Sequence, residues 1–126
     1  ARKYATAKNY VPKPITRTME GAKVGIIAVG STDLAVEEAR YLLAKKGLPT
    51  DYLRVRAIPF DDEVEQFVRN HERVYVVEIN RDGQLRQILT VNMPELAGKL
   101  IKMSHSDGMP LSARWLKDEI LAKEEK

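Results

Sequence analysis

From Val24 to Val29 the chain reads Val-Gly-Ile-Ile-Ala-Val with no polar position, and Arg73-Val74-Tyr75-Val76-Val77-Glu78-Ile79 repeats that apolar, β-branched character. Runs without alternation suit strands covered on both faces, as in a parallel sheet buried by its crossover helices. The pattern therefore predicts two central strands, at 23–29 and 73–79. Between them, Leu34, Ala35, Ala39, Leu42 and Leu43 recur at helical spacing, with Glu37, Glu38 and Arg40 on the opposite side. Ser31, Thr32 or Asp33 caps this helix, which runs to about Lys46 and is ended by Gly47 and Pro49. Tyr52–Ala57 alternates and is a further strand, so strand, helix and strand form a right-handed βαβ unit.

The remaining segments are shorter. Tyr4, Ala7 and Val11 suggest a brief helix over residues 1–10, which Pro12 and Pro14 stop. Ile15–Met19 alternates like an edge strand and is ended by Glu20-Gly21. Asp61-Asp62-Glu63 forms an acidic first turn for a helix whose Val64, Phe67 and Val68 face inward. A helix from Gln84 to about Val91, a turn between Pro94 and Gly98, a strand at 99–103 and a final helix capped by Ser112 complete the order, with a charged tail at Lys123–Lys126 that frays. Residues 1–21 read as a basic arm with an edge strand, and residues 22–126 as one α/β domain.

Composition narrows the function classes. At 126 residues, 44% hydrophobic and 31% charged, the chain suits one globular core. It has no cysteine, which excludes disulfides, a thiolate nucleophile and iron–sulfur ligation from this chain. No apolar run is long enough to span a membrane, and no signal-like segment opens the chain, so the expected location is cytoplasmic. The net charge of +3 is uneven: Arg2, Lys3, Lys8, Lys13 and Arg17 stand without an acid, while the remainder holds 16 basic and 18 acidic side chains. The arm is interrupted by prolines and lacks the dense basic surface that nucleic acid requires, so no nucleic-acid or membrane partner is expected. The start at alanine suggests a piece of something longer.

Candidate chemistry gathers at the carboxyl ends of the two central strands. In an open parallel sheet, ligands and partners meet the chain where adjacent connections leave toward opposite faces. If 23–29 and 73–79 are neighbours, that crevice is lined by Gly30, Ser31 and Thr32 on one side and by Glu78, Asn80, Arg81, Asp82 and Gly83 on the other. Both loops open a helix, and they offer free N–H donors, hydroxyls, a carboxylate and a guanidinium for an anion or a partner's polar surface. Ordinary caps and turns use the same residues, and Gly30-Ser31 is neither a dinucleotide fingerprint nor a phosphate loop. Asp61-Asp62-Glu63 is no cation site, because consecutive helix positions diverge. His71 ends a helix, where a partial positive charge is favoured. His105, in Ser104-His105-Ser106-Asp107, lacks the spacing of a hydrolase triad.

Taken as blocks, Val24–Asp33, Asp51–Phe60, Val74–Leu85 and Asp107–Trp115, with the lead-in Tyr10–Ile15, resemble the carboxyl-terminal domain of the alpha subunit of 2-oxoacid:ferredoxin oxidoreductases, especially the 2-oxoglutarate type. The resemblance covers essentially the whole chain. It implies a three-layer α/β/α sandwich of the transketolase carboxyl-terminal type, mostly parallel with an antiparallel edge strand at 15–19, and it places 23–29 beside 73–79. It implies a complex that oxidatively decarboxylates a 2-oxoacid to an acyl-CoA and reduces ferredoxin, using thiamine diphosphate, Mg, coenzyme A and iron–sulfur clusters.

Within such a complex the domain is a non-catalytic one that docks against the amino-terminal alpha-subunit domain and the beta subunit. The pyrimidine-binding domain, the diphosphate motif and the cluster cysteines are absent here. No catalytic, cofactor-binding or metal residue is therefore assigned, and the chain alone is expected to be inactive. The competing expectation is a free-standing anion- or nucleotide-binding α/β module.

Overall fold

The apolar runs and the helical stripes between them assemble into a sheet enclosed by helices. The computed structural model describes residues 14–29, 32–55, 62–78, 84–104 and 111–125. They form β1 (Ile15–Arg17), β2 (Val24–Val29), α1 (Asp33–Lys45), β3 (Thr50–Val55), α2 (Asp62–Arg69), β4 (Arg73–Glu78), α3 (Gln84–Asn92), a 3₁₀ helix (Pro94–Lys99), β5 (Leu100–Ser104) and α4 (Ala113–Glu124). Among the described residues the sheet has five strands in the order β1-β3-β2-β4-β5. β1 runs antiparallel to β3, and every other pair is parallel. The two runs expected to be central are neighbours, with Val24 opposite Arg73 and Ala28 opposite Val77.

Each face of the sheet carries its own core. Val24, Ile26 and Ala28 join Tyr52, Tyr75, Val77 and Met103 beneath Val36, Ala39 and Leu43 of α1 and Leu116 and Ile120 of α4. Ile27, Leu53, Val74 and Val76 lie beneath Val64, Phe67 and Val68 of α2 and Leu85 and Leu89 of α3. Burial from both sides explains why β2 and β4 do not alternate, and each such side chain contributes roughly 1.5–3 kcal/mol by leaving water. The fold is the expected three-layer α/β/α sandwich with an antiparallel edge strand.

Boundaries shift where polar groups find partners. β3 starts at Thr50 rather than Tyr52, because the buried Thr50 pairs with Val24 and its hydroxyl accepts from Arg40 Nε at 3.3 Å. α1 ends as expected at Gly47: its φ of 88° needs glycine, and Leu48 N–H donates to Leu43 O while Gly47 N–H donates to Ala44 O. The turn at Pro94 is a full 3₁₀ helix. Ser112 caps α4, its hydroxyl accepting from Trp115 N–H at 2.9 Å.

The expectation that the charged tail Lys123–Lys126 frays is corrected for its first two residues: α4 continues through Glu124. Arg73 Nε and Nη2 donate to the Glu124 carboxylate at 2.8 and 2.7 Å, and the Tyr75 hydroxyl donates to it as well. The hydrogen bond from Arg73 is the main reason the Glu124 carboxyl lies below the ordinary carboxylate range. Burial, with the bond to Glu124, pushes the Tyr75 hydroxyl far above its ordinary value. The helix expected over residues 1–10 lies outside the described residues.

Candidate functional site

The sheet topology fixes where two connections part. β2 leaves into α1 on the Tyr52 face and toward β3, whereas β4 leaves into α3 on the opposite face and toward β5. The carboxyl ends of β2 and β4 therefore form the switch point at which open α/β sheets meet their ligands. Of the residues expected to line it, Thr32 and Glu78 are described, and Gly30, Ser31, Asn80, Arg81, Asp82 and Gly83 lie outside the described residues.

Both described residues are tied into the fold. Thr32 is 2% exposed, and its hydroxyl donates to Val29 O at 2.8 Å, closing the turn from strand to helix. Glu78 is 5% exposed and directed at the start of α3. Its Oε1 accepts from Leu85 N–H at 2.9 Å and its Oε2 from Arg86 N–H at 3.4 Å. A strand carboxylate thus supplies the negative charge that the positive end of a helix attracts. Arg86 Nε, one residue along, donates to Leu100 O at 3.2 Å and joins α3 to β5.

The start of α1 has its own carboxylate. Asp33 lies in the first turn, where Oδ1 accepts from the Tyr52 hydroxyl at 2.8 Å and Oδ2 lies 3.9 Å from Arg54 Nη1. Burial first, then the bond to Asp33, raises the Tyr52 hydroxyl far above its ordinary value, so Tyr52 stays a donor at any physiological pH. Both helix starts that open on the crevice are therefore furnished with an internal acid. At α3 that acid engages two backbone donors, whereas at α1 it bonds Tyr52 and lies beside Arg54.

A second polar cluster lies at the amino end of the sheet, and it was not singled out from the sequence. His71, 6% exposed, bonds through Nδ1 to Phe67 O at 2.6 Å and through Nε2 to Asp51 Oδ2 at 2.7 Å. Asp51 Oδ1 accepts from Met19 N–H at 2.8 Å. The Phe67 and His71 rings lie 4.4 Å apart over Gly25, where an added Cβ would come within 2.6 Å of Phe67 Cε1. Gly25, a lone glycine inside a β-branched strand, was the available signal, because such a glycine marks a close approach. Beside these rings is a groove of about 420 Å³ lined by Thr16, Thr18, Glu63, Gln66 and Asn70.

Other chemistry is bounded by what is described. Among the described residues, no three His, Asp or Glu side chains converge as metal ligands, and no helix is long and apolar enough to cross a membrane.

No protein-family model and no curated protein matches the sequence. Solved structures do match. The 2-oxoglutarate:ferredoxin oxidoreductase from Magnetococcus marinus, determined with 2-oxoglutarate, coenzyme A and succinyl-CoA bound, superposes with a TM-score of 0.77 at 24% identity, over 94% of this chain and 21% of that one. A split-gene transketolase, described as an inactive beta4 tetramer, gives 0.67 at 20% identity, over 86% of this chain and 40% of that one. The alpha chain of a probable 2-oxoacid ferredoxin oxidoreductase from Thermoplasma acidophilum gives 0.56 at 17% identity, over 90% of this chain and 98% of that one. The chain spans about a fifth of the length of the Magnetococcus protein. At these identities the likeness is one of fold, the transketolase carboxyl-terminal type.

Proposed function

We propose that this chain is the non-catalytic carboxyl-terminal domain of the alpha subunit of a 2-oxoacid:ferredoxin oxidoreductase, and that its carboxyl-end crevice docks against the rest of that enzyme. The observation carrying this reading is the Magnetococcus superposition, in which nearly all of this chain corresponds to about a fifth of a much longer one. The Thermoplasma likeness adds that a unit of this size also makes up almost an entire alpha chain. The docking partners are the amino-terminal alpha-subunit domain and the beta subunit, with ferredoxin accepting electrons from the whole complex in the cytoplasm.

The crevice chemistry favours docking over anion binding. The phosphates of coenzyme A or of Mg-bound thiamine diphosphate would meet Glu78 at one helix start and Asp33 at the other. Neither of these two described residues offers a cation to those groups, and no cofactor is assigned to this chain. Thiamine, coenzyme A and cluster chemistry belong to the parts it docks with.

The test is reconstitution. Mixed with an amino-terminal alpha-subunit domain and a beta subunit of such an oxidoreductase, the chain should enter a stoichiometric complex on a sizing column. Ferredoxin reduction driven by a 2-oxoacid should require all three. A chain that elutes alone beside them, or that by itself binds a nucleotide at micromolar concentration, would instead establish the free-standing module.

A further inference from the structure

We propose that the outer face of α1 is a self-pairing surface, on which a second copy of this chain seats its own α1 in the antiparallel sense. Of the large hydrophobic side chains exposed among the described residues, two lie on this helix: Leu34, 86% exposed, and Tyr41, 58% exposed. At about 100° per residue, Leu34, Glu38, Tyr41 and Lys45 fall within about 60° of the helix circumference and form one outward stripe along α1. Val36, Ala39 and Leu43 are buried on the opposite side, and the Arg40 guanidinium is fixed to Thr50 O at 2.8 Å. The helix therefore cannot roll to hide the stripe.

The order of charges along the stripe selects the occupant. Glu38 comes before Tyr41 and Lys45 after it, and all three side chains are exposed. Set antiparallel about a twofold axis at Tyr41, two copies bring their Tyr41 rings together at the centre and place each Glu38 beside Lys45 of the second copy, once on either side. Each Leu34 then reaches toward the half-buried Leu48 just past the other helix. A parallel arrangement would set Glu38 against Glu38 and Lys45 against Lys45. One sequence thus complements itself in one direction and repels itself in the other.

The side chains are already arranged for it. Lys45 Nζ lies 4.8 Å from the centroid of the Tyr41 ring, which keeps the ammonium on the stripe. The neighbouring Glu37 is engaged by Arg17 and Arg40, at 2.9 and 2.6 Å, so Glu38 is the acid that the seam uses. A tyrosine at the centre, apolar groups at the ends and charges between them make an interface with an aromatic anchor. A seam one helix long is small beside the roughly 1,200–2,000 Å² of a stable interface. The pairing is accordingly weak, with a dissociation constant on the order of 10–100 µM.

Sedimentation equilibrium of the 126-residue chain, from micromolar to millimolar concentration, tests this. Wild type should pass from one copy to two, and added salt should weaken the pairing. Glu38→Lys and Lys45→Glu, each at an exposed position that the fold does not need, should weaken self-association by about tenfold or more, because two attractive pairs become repulsive. Mixed together, the two variants should recover the pairing, since every meeting of position 38 with position 45 is again between opposite charges. The proposal is overturned if wild type remains single at millimolar concentration, which would leave the face to a different partner. It is equally overturned if either variant alone pairs as tightly as wild type, or if the mixture pairs no better than its components.

Discussion

Replacing Glu78 by alanine tests the idea that α3 carries its own anion. The substitution removes the acceptor for Leu85 N–H and Arg86 N–H at a position where the side chain is almost wholly enclosed. Losing a cap costs about 0.5–2 kcal/mol, and leaving a buried donor unsatisfied costs about 1–3 kcal/mol. The two overlap, since both describe the same Leu85 N–H, so the expected loss is about 2 kcal/mol. For a chain of this length that is roughly 8 °C in Tm. Glu78→Gln keeps a carbonyl acceptor but brings an amide that needs a partner, and should lose about half as much.

The assay is urea unfolding at neutral pH, repeated with sodium sulfate and with sodium chloride at matched ionic strength. Sulfate stabilises most proteins by exclusion, and the comparison between wild type and variant cancels that contribution. In Glu78→Ala the vacated helix start should acquire a sulfate-specific stabilisation that the wild type lacks, about 1.4 kcal/mol at ten times the dissociation constant. An alanine variant within about 0.5 kcal/mol of wild type would refute the capping account. Equal sulfate effects in the two proteins would refute the claim that Glu78 keeps anions out.

Two further outcomes follow from contacts elsewhere. Glu124→Gln should destabilise by about 1 kcal/mol at neutral pH, as befits a partly exposed bidentate pair. Because the fold holds Glu124 below its unfolded value, its contribution is complete above the unfolded carboxylate range and disappears as pH falls through the folded one. Urea curves for wild type and variant should accordingly converge in acid, and a gap that persists there would contradict the assignment. Gly25→Val places methyl groups where a Cβ alone would lie 2.6 and 2.8 Å from the Phe67 ring, and should cost about 2–3 kcal/mol by thermal unfolding, outweighing any gain in strand propensity. An unchanged Tm would mean that Phe67 swings freely into the groove.

The layered fold was legible because its signals are local and repeated. Unbroken apolar runs at Val24 and Val74 and the stop at Gly47 each point to one structure, whereas the α1 stripe was half legible: Ala39 and Leu43 face inward as expected, but Leu34 is exposed and Arg40, expected on the outer face, is buried. What escaped the pattern was long-range polar pairing. Glu124 looks like part of a solvated tail until Arg73, 51 residues earlier, is seen beside it. Glu78 was picked out for the crevice, but nothing in its spacing says that both oxygens are committed to α3. His71, expected to end a helix, lies two residues beyond α2, and its link to Asp51 depends on strand register that only the assembled sheet provides. The glycine beneath it was the one trace of that packing in the linear chain.

The short first strand is fastened by side chains as well as by its ladder. Arg40, 4% exposed, reaches across from α1 to Arg17 O at 3.5 Å and to Thr50 O at 2.8 Å, while Asp51 holds Met19 N–H. Without those two hooks, three residues of ladder would be left, among the described residues, to cover the outer rim of β3. A bare rim there would be a template for a foreign strand, and two copies could trade their first strands or stack into fibres. The buried guanidinium on α1 thus helps hold β1 over that rim.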